Sequence, residues 1–393
     1  MGEESKRLMF PVQGTIGVIG GGQLGKMLIE ASRPWNVRYV VLEQDAHCPA
    51  SLVADRVICG SLNDPEALRK LAAACDVLTF EIEHVGVSTL LELEAAGKRI
   101  IPSPRVLNII SDKGLQKQCY YNHGLPTTNF RLADHPDAWK EACVELKGDR
   151  LVAKCRTGGY DGRGVDIFSR EALMNGSYQP AFETASLLEE FVEDALELAV
   201  IVARDEQGNC CTWPCIQMEF HPVANLVEFL FMPAEIDAAL EQRARNLAVD
   251  AVQALDGVGV FAVELLCDKN QDVWINEIAP RPHNSGHHTI EACYTSQYEQ
   301  LNRILCGLPL GDPSLIQPAA MINLLGPEGL EGAYKLQGTA EALSIPGVYI
   351  HLYNKSSIRA MRKMGHVTVM AENMDALKSK TLKVRELLQF VPA

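Results

Sequence analysis

The sequence lacks any Cys-x-x-Cys pair, although it carries 12 cysteines among 393 residues. Its tightest group, Cys210, Cys211 and Cys215, does not have zinc-site spacing. Scattered cysteines in a long chain fit a reducing compartment, so a cytoplasmic setting is expected. No run approaches the ~18 apolar residues that span a bilayer, which excludes a membrane-spanning helix. The opening M-G-E-E-S-K-R has acids and no apolar core, so it is not expected to act as a signal peptide. Positive charge is in short supply: 36 Lys and Arg face 50 Asp and Glu, a net charge of −14. That balance argues against a nucleic-acid backbone as the main partner. The chain also lacks a G-K-[ST] sequence, which excludes a P-loop. What remains, 47% apolar and 22% charged, is the balance of an ordinary globular protein with room for two or three domains.

The first hundred residues alternate strand and helix. An apolar strand at 15–20 meets Gly20, Gly21, Gly22 and Gly25, and a helix follows from Gln23 to Ala31. A second strand, 39–42, ends at Glu43. Gly20-x-Gly22-x-x-Gly25 opening a helix, with an acid about 20 residues on, is the dinucleotide fingerprint and taken alone indicates NAD. The underlying physics is broader, because glycines let backbone amides approach any phosphate ester at a helix N-terminus. Further units follow: helix 65–74, strand 76–80, helix 88–96 and a short strand at 99–101 closed by Pro102 and Pro104. Such alternation predicts a parallel sheet covered by helices. Glu81 and Glu83 lie just past a strand end, where ligands of such sheets gather, so Glu81 is a candidate hydroxyl acceptor. Asp112 is the expected N-cap of a helix from Lys113 to about Asn122.

Polyphosphate chemistry is indicated next. Strand 151–153 leads to Lys154, and four glycines (158, 159, 162 and 164) follow within ten residues. Amides of such a loop can close over phosphates as a mobile lid, with Lys154 as a point charge. Strand 186–191 ends in acids, and Glu197 heads the next strand. A strand linking two lobes offers a free backbone edge to a purine, with Glu197 near the ribose. After an amphipathic helix at 235–255, a hairpin pairs 259–267 with 273–277. It sets Glu264 opposite Asn276 or Glu277. Two carboxylates and an amide oxygen suit a hard cation such as Mg²⁺ carrying a nucleotide triphosphate. The loop A-P-R-P-H-N-S-G-H-H-T (279–289) is stiffened by Pro280 and Pro282 and crowded with polar groups. Near the C-terminus, the stretch 355–366 is a basic patch in an acidic chain, able to receive a substrate phosphate.

Taken together, G-G-G-Q-L-G (20–25), F-E-I-E (80–83), R-T-G-G-Y-D-G-R-G (156–164), Glu264 with Asn276-Glu277, A-P-R-P-H-N-S-G-H-H-T and R-K-M-G-H (362–366) resemble the N5-carboxyaminoimidazole ribonucleotide synthetase family of the ATP-grasp superfamily. The resemblance implies an α/β (α+β overall) ATP-grasp fold. It divides into a Rossmann-like N-terminal domain at 1–112, an ATP-grasp domain at 113–312 with a lid subdomain at about 125–190, and a small β-rich C-terminal domain at 313–393. It implies a ligase that uses ATP and bicarbonate to carboxylate aminoimidazole ribonucleotide in purine biosynthesis, and it moves the Gly-rich turn from NAD to the ribonucleotide. ATP would contact Lys113, Lys154, Gly159, Tyr160, Asp161, Gly162, Arg163, Gly164, Val165, Glu189, Glu190, Phe191, Val192, Glu197, His221, Asn276 and Glu277. Gly22, Gln23, Leu24, Glu81, Lys355 and Arg362 would hold the ribonucleotide, and Arg281, His283, Asn284 and Ser285 would surround bicarbonate and the aminoimidazole. Arg281, His283 and Lys154 would serve catalysis, and Glu264 and Glu277 would bind Mg²⁺. A homodimer is implied, with a downstream mutase-type carboxylase fused or separate. Ala360-Met361 stand where the family usually has Pro-Gly.

Overall fold

The computed structural model describes residues 14–159, 164–220 and 227–393. Five parallel strands, β1 (Thr15–Ile19), β2 (Arg38–Glu43), β3 (Arg56–Cys59), β4 (Val77–Phe80) and β5 (Arg99–Ile100), form a sheet in the order β3-β2-β1-β4-β5. Helices α1 (Gln23–Ala31), α2 (Pro65–Ala74), α3 (Val87–Ala95) and α4 (Pro104–Ile110) cover it. The middle strands are mostly apolar and almost wholly buried because both faces are covered. β1 pairs with β2 on one side and β4 on the other, so the chain order reverses there and a crevice opens at the carboxyl ends of β1 and β4. Helix α4 was not expected from the sequence, which reads 102–104 only as a strand stop. Its signal was present: Ser103 caps the Arg105 amide and Pro104 occupies the first helical position.

Asp112 caps α5 (Lys113–Asn122) by accepting from the Gly114 and Leu115 amides. Beyond it lies a four-stranded antiparallel sheet of β6 (Phe130–Ala133), β7 (Arg150–Cys155), β8 (Val165–Ser169) and β9 (Ser186–Glu190), in the order β6-β9-β7-β8. Helices α6 (Trp139–Val144) and α7 (Arg170–Asn175) pack on it around a separate core centred on Trp139 and Phe168. The Gly-rich loop joins β7 to β8.

The third layer is a nine-stranded sheet. It contains β10 (Leu196–Arg204), β11 (Cys210–Thr212), β12 (Ile216–Phe220), β13 (Val227–Met232), β14 (Gly259–Cys267) and β15 (Val273–Ala279), with helices α8 (Ala238–Ala254), α9 (Thr289–Ala292) and α10 (Gln297–Leu305). The C-terminal segment adds β16 (Ala319–Leu325), β17 (Tyr334–Gln337), α11 (Thr339–Leu343), β18 (Val348–Leu352), β19 (Lys363–Met370), α12 (Met374–Leu387) and β20 (Gln389–Pro392). Strand β16 pairs with β13 and β19, so this sheet runs on past residue 313. Only β17 and β20 form a sheet of their own.

The N-terminal sheet and the large sheet share one apolar core, in which Ile16, Met27 and Tyr39 meet Trp213, Tyr298 and Ile304. Buried polar contacts lock the seam. Asn302 donates to the Leu28 carbonyl at 2.7 Å and accepts from the Tyr39 hydroxyl at 2.7 Å. Arg99 donates to the carbonyls of Ile304 and Leu305, the orphan acceptors at the end of α10. This fixes the crevice of the first sheet against the β14–β15 hairpin. Among the described residues no helix is long and apolar enough to cross a membrane.

Candidate active site

A cavity of about 460 Å³ lies where the three sheets meet. One wall is the β14–β15 hairpin. Its register pairs Glu264 with Glu277 and Leu265 with Ile275, so a β-bulge leaves Asn276 as the extra residue. The bulge lets consecutive side chains each meet a lysine, which strict alternation would forbid. Lys154 donates to the Asn276 amide oxygen at 2.7 Å, and Lys113 forms an ion pair with Glu277. Burial works to raise the Glu277 carboxyl, but Lys113 and Lys154 outweigh it and hold it at about 2. Burial, then Glu277 and Glu197, push Glu264 up to about 8. Glu197, on the neighbouring strand β10, is pushed by burial to about 6. The charges of Glu277 and Glu197 therefore oppose ionisation of Glu264.

Lys154 also pairs with Glu189 at 2.7 Å. Strand 186–191 is expected from the sequence to offer a purine a free backbone edge. Instead β9 is paired on both sides, by β6 and β7, and the Glu189 side chain is buried between Lys154 and Lys117. Backbone outside the β9 ladder begins after Glu190. Glu190 accepts from the Asn129 side chain and the Lys147 amide, and Phe191 stacks under Arg150 at 3.9 Å. Val192 lies in the connection from β9 to β10. At the base of the lid, Gly158 and Gly159 line the cavity, Gly164 takes a positive φ of 75°, and Val165 pairs with Lys154. Tyr160, Asp161, Gly162, Arg163 and His221 lie outside the described residues.

The opposite wall carries the Gly-rich turn, and here the first expectation is corrected. Glu81 accepts from the Gly22 and Gly25 amides, the latter at 2.6 Å. Glu43 accepts from the Gly21 amide at 2.9 Å. Two carboxylates from the ends of β2 and β4 thus take the donors that a dinucleotide phosphate would use. The acid that completed the NAD fingerprint is committed to the turn itself. Amides of Gln23 and Leu24, the first two helical residues of α1, remain beside the cavity. Burial raises the Glu81 carboxyl against the opposing pull of the Gly25 and Gly22 amides.

Arg281 spans the two walls. Its Nε lies 2.8 Å from Glu83. His283 accepts from or donates to Ser285 Oγ through Nδ1 at 3.0 Å and points Nε2 toward Glu264 at 3.8 Å. Ser285 was expected to touch substrate; its side chain is buried behind His283 and serves to orient it, because the 3₁₀ turn at Asn284–Gly286 rotates it inward. Asn284 lines the cavity and donates to Asn323 at 3.2 Å, and its own buried amide oxygen has no partner among the described residues. The basic patch is also rearranged. Lys355 donates to the Lys363 carbonyl and Arg362 to Ser357, whereas Lys363, the first residue of β19, lines the cavity.

Four residues at the site were missed in the sequence reading or left without a role. Lys117 lies one helical turn after Lys113, and that i, i+4 spacing was the available signal. Arg156 forms a bidentate pair with the cap residue Asp112, at 3.0 and 2.7 Å, tying the lid strand to α5. Glu83 holds Arg281, and Lys363 belongs to the R-K-M-G-H motif.

Comparison with known proteins agrees with this geometry. The ribonucleotide synthetase preATP-grasp domain family matches residues 13–111, the ATP-grasp domain family 118–298, and the phosphoribosylaminoimidazole carboxylase C-terminal domain family 319–380. The N5-carboxyaminoimidazole ribonucleotide synthase of Synechococcus elongatus is 39% identical over 91% of this chain and 90% of its own length. The phosphoribosylaminoimidazole carboxylase of Ogataea methanolica is 37% identical over 92% of this chain, which spans 67% of that longer protein. Among solved structures, the synthetase from Thermotoga maritima superposes with a TM-score of 0.87 at 39% identity, covering 97% of this chain and 100% of that one. The Aspergillus clavatus synthase, solved with ADP and 5-aminoimidazole ribonucleotide, gives 0.84 at 32% identity over 95% and 98%. The chain belongs to the N5-carboxyaminoimidazole ribonucleotide synthase family of ATP-grasp enzymes.

Proposed function

We propose that the protein carboxylates 5-aminoimidazole ribonucleotide at its exocyclic amine, consuming ATP and bicarbonate and releasing ADP and phosphate. The carrying observation is that one cavity joins two unlike walls. The hairpin wall offers Lys113 and paired carboxylates, with Lys154 behind them on Asn276, and these suit a polyphosphate. The other offers the α1 amides, Glu81 and Arg281, which suit a ribonucleotide and a planar carboxyl group.

Bicarbonate is a poor electrophile, so its oxygen attacks the γ-phosphorus of ATP, ADP leaves, and carboxyphosphate forms. The amine nitrogen then attacks the carboxyl carbon, directly or after release of CO₂; phosphate departs and the nitrogen loses a proton. Lys113 and Lys154 exchange their carboxylate partners for phosphate oxygens and neutralise charge as it develops. Arg281, steadied by Glu83, holds the carboxyl oxygens through a planar contact. His283, oriented by Ser285, is the group assigned to take the amine proton. The Gly-rich loop shields the mixed anhydride from water.

The donor set also fits Mg²⁺. Among the described residues no group of three or more acidic, His or Cys ligands converges, and Glu264 and Glu277 supply two carboxylates, the number Mg²⁺ takes when nucleotide phosphates complete its shell. Glu264 and Glu277 would hold the ion, with Asn276 in support; it would lower the charge on the phosphates. Family resemblance supports a homodimer and a downstream mutase-type carboxylase, fused or separate, and twelve free thiols support a cytoplasmic setting.

Phosphate release from Mg-ATP and bicarbonate tests the reading. It should rise sharply on adding the ribonucleotide, and Glu277→Gln or Arg281→Ala should abolish the rise. Hydrolysis indifferent to the ribonucleotide refutes the substrate assignment.

A further inference from the structure

Lys117 has no place in the chemistry above. Its side chain is 2% exposed and does not line the cavity. Nζ donates to Thr127 Oγ1 at 2.6 Å, Thr128 Oγ1 at 3.1 Å and the Ile275 carbonyl at 3.1 Å, and it lies 2.6 Å from Glu189 Oε1. The other oxygen of Glu189, itself 3% exposed, lies 2.7 Å from Lys154. Thr128 donates a further hydrogen bond to Glu189 at 2.7 Å. One buried carboxylate is therefore bridged by two ammonium groups: Lys154 also holds Asn276, the neighbour of cavity-lining Glu277, whereas Lys117 is turned to Thr127, Thr128 and the Ile275 carbonyl.

A buried ion pair is a poor way to stabilise a fold, because desolvation of both charges offsets their attraction. Packing alone does not account for this trio. Its arrangement has an electrostatic consequence instead. Lys154 alone would present a full charge to phosphate. Glu189 alone would cancel it. With Lys117 present, Glu189 is already compensated, and the trio keeps one net positive charge whose mobile share is on Lys154.

We infer that Lys117 and Glu189 form a built-in countercharge pair that sets how strongly Lys154 grips the nucleotide phosphates, so that nucleotide affinity follows the summed charge of the three residues. Neither need touch the nucleotide phosphates with its side chain; both are positioning residues acting through Lys154. The inference rests on the assignment of Lys154 to phosphate.

The test is calorimetric binding of ADP, and of adenosine as an uncharged probe, to the full chain in four forms. Glu189→Gln raises the trio's charge by one unit and should tighten ADP by about fivefold; Lys117→Met lowers it by one and should weaken ADP by a similar factor. The double variant restores the sum and should bind ADP as wild type does. Adenosine affinity should stay constant throughout. Should Lys117→Met fail to fold, Lys117→Arg, which keeps the charge, should bind ADP within about twofold of wild type while Glu189→Gln binds more tightly. Equal weakening in both single variants, a double variant weaker than either, or parallel changes in adenosine affinity would each overturn the inference and leave a merely structural role. Absence of ADP binding by wild type would instead overturn the nucleotide assignment itself.

Discussion

Replacing Glu264 with Gln should make the ligand-free protein more stable while abolishing its activity. Glu264 is nearly buried, faces Glu277 across the hairpin, and is pushed up to about 8 by burial, then by Glu277 and Glu197. A carboxyl whose folded-state value exceeds its unfolded value opposes folding as pH rises. Below about 4.5 both states are protonated and there is no cost; between about 4.5 and 8 the unfolded chain ionises first, and stability falls. At about 1.4 kcal/mol per unit, the full shift sets a ceiling of about 4–5 kcal/mol at pH 8. Water entry and side-chain relaxation at a group 19% exposed reduce this to about 2–3 kcal/mol. Glutamine keeps the shape and removes the charge. In a chain of this size that gain corresponds to a rise in midpoint of about 2–4 °C at pH 8, shrinking to about zero at pH 4.5. Thermal unfolding of both forms at the two pH values measures it. Adding Mg²⁺ and ADP should stabilise wild type strongly at pH 8 and the variant little, reversing their order. A variant no more stable than wild type at pH 8, or equally stabilised at both pH values, would refute the account of a self-repelling acidic cluster awaiting a cation.

Two further outcomes follow from the opposite wall. Gly22 has φ −76°, so alanine suits its backbone, but the added Cβ would lie 2.7 Å from Glu81 Oε1, the end of a flexible side chain. Gly22→Ala should therefore fold with a loss of only about 1–3 kcal/mol, read by denaturant titration, while KM for the ribonucleotide rises at least tenfold because Glu81 leaves the α1 amides. Glu83→Gln keeps an acceptor near Arg281 Nε but removes the charge that steadies it, so the ribonucleotide-dependent phosphate release should fall about tenfold with stability nearly unchanged; unchanged release would show that Arg281 is held by other means.

Much of this protein was legible without its structure. The strand–helix alternation of the first hundred residues, the Asp112 cap, the long helix before the hairpin and a hairpin that sets Glu264 opposite Asn276 or Glu277 all follow from local rules: period, capping chemistry and turn length; the bulge then selects Glu277. These depend on neighbours in sequence, so sequence suffices. The motifs likewise identified the family, because their residues must recur together for the chemistry to work.

Tertiary structure alone decided which way each polar group turns. Glu43 and Glu81 are 38 residues apart, yet both fold back onto the same Gly-rich turn and occupy amides that the fingerprint reserves for phosphate. Ser285 and His283 are near neighbours in one motif, but a single 3₁₀ turn buries the first and points the second at Glu264. Lys117 carries no motif; its importance arises because α5, β9 and β15, remote in sequence, meet around one buried carboxylate. Local composition fixes an element's existence, whereas the partner of a charged side chain is set by desolvation and proximity among segments that only the packed fold brings together.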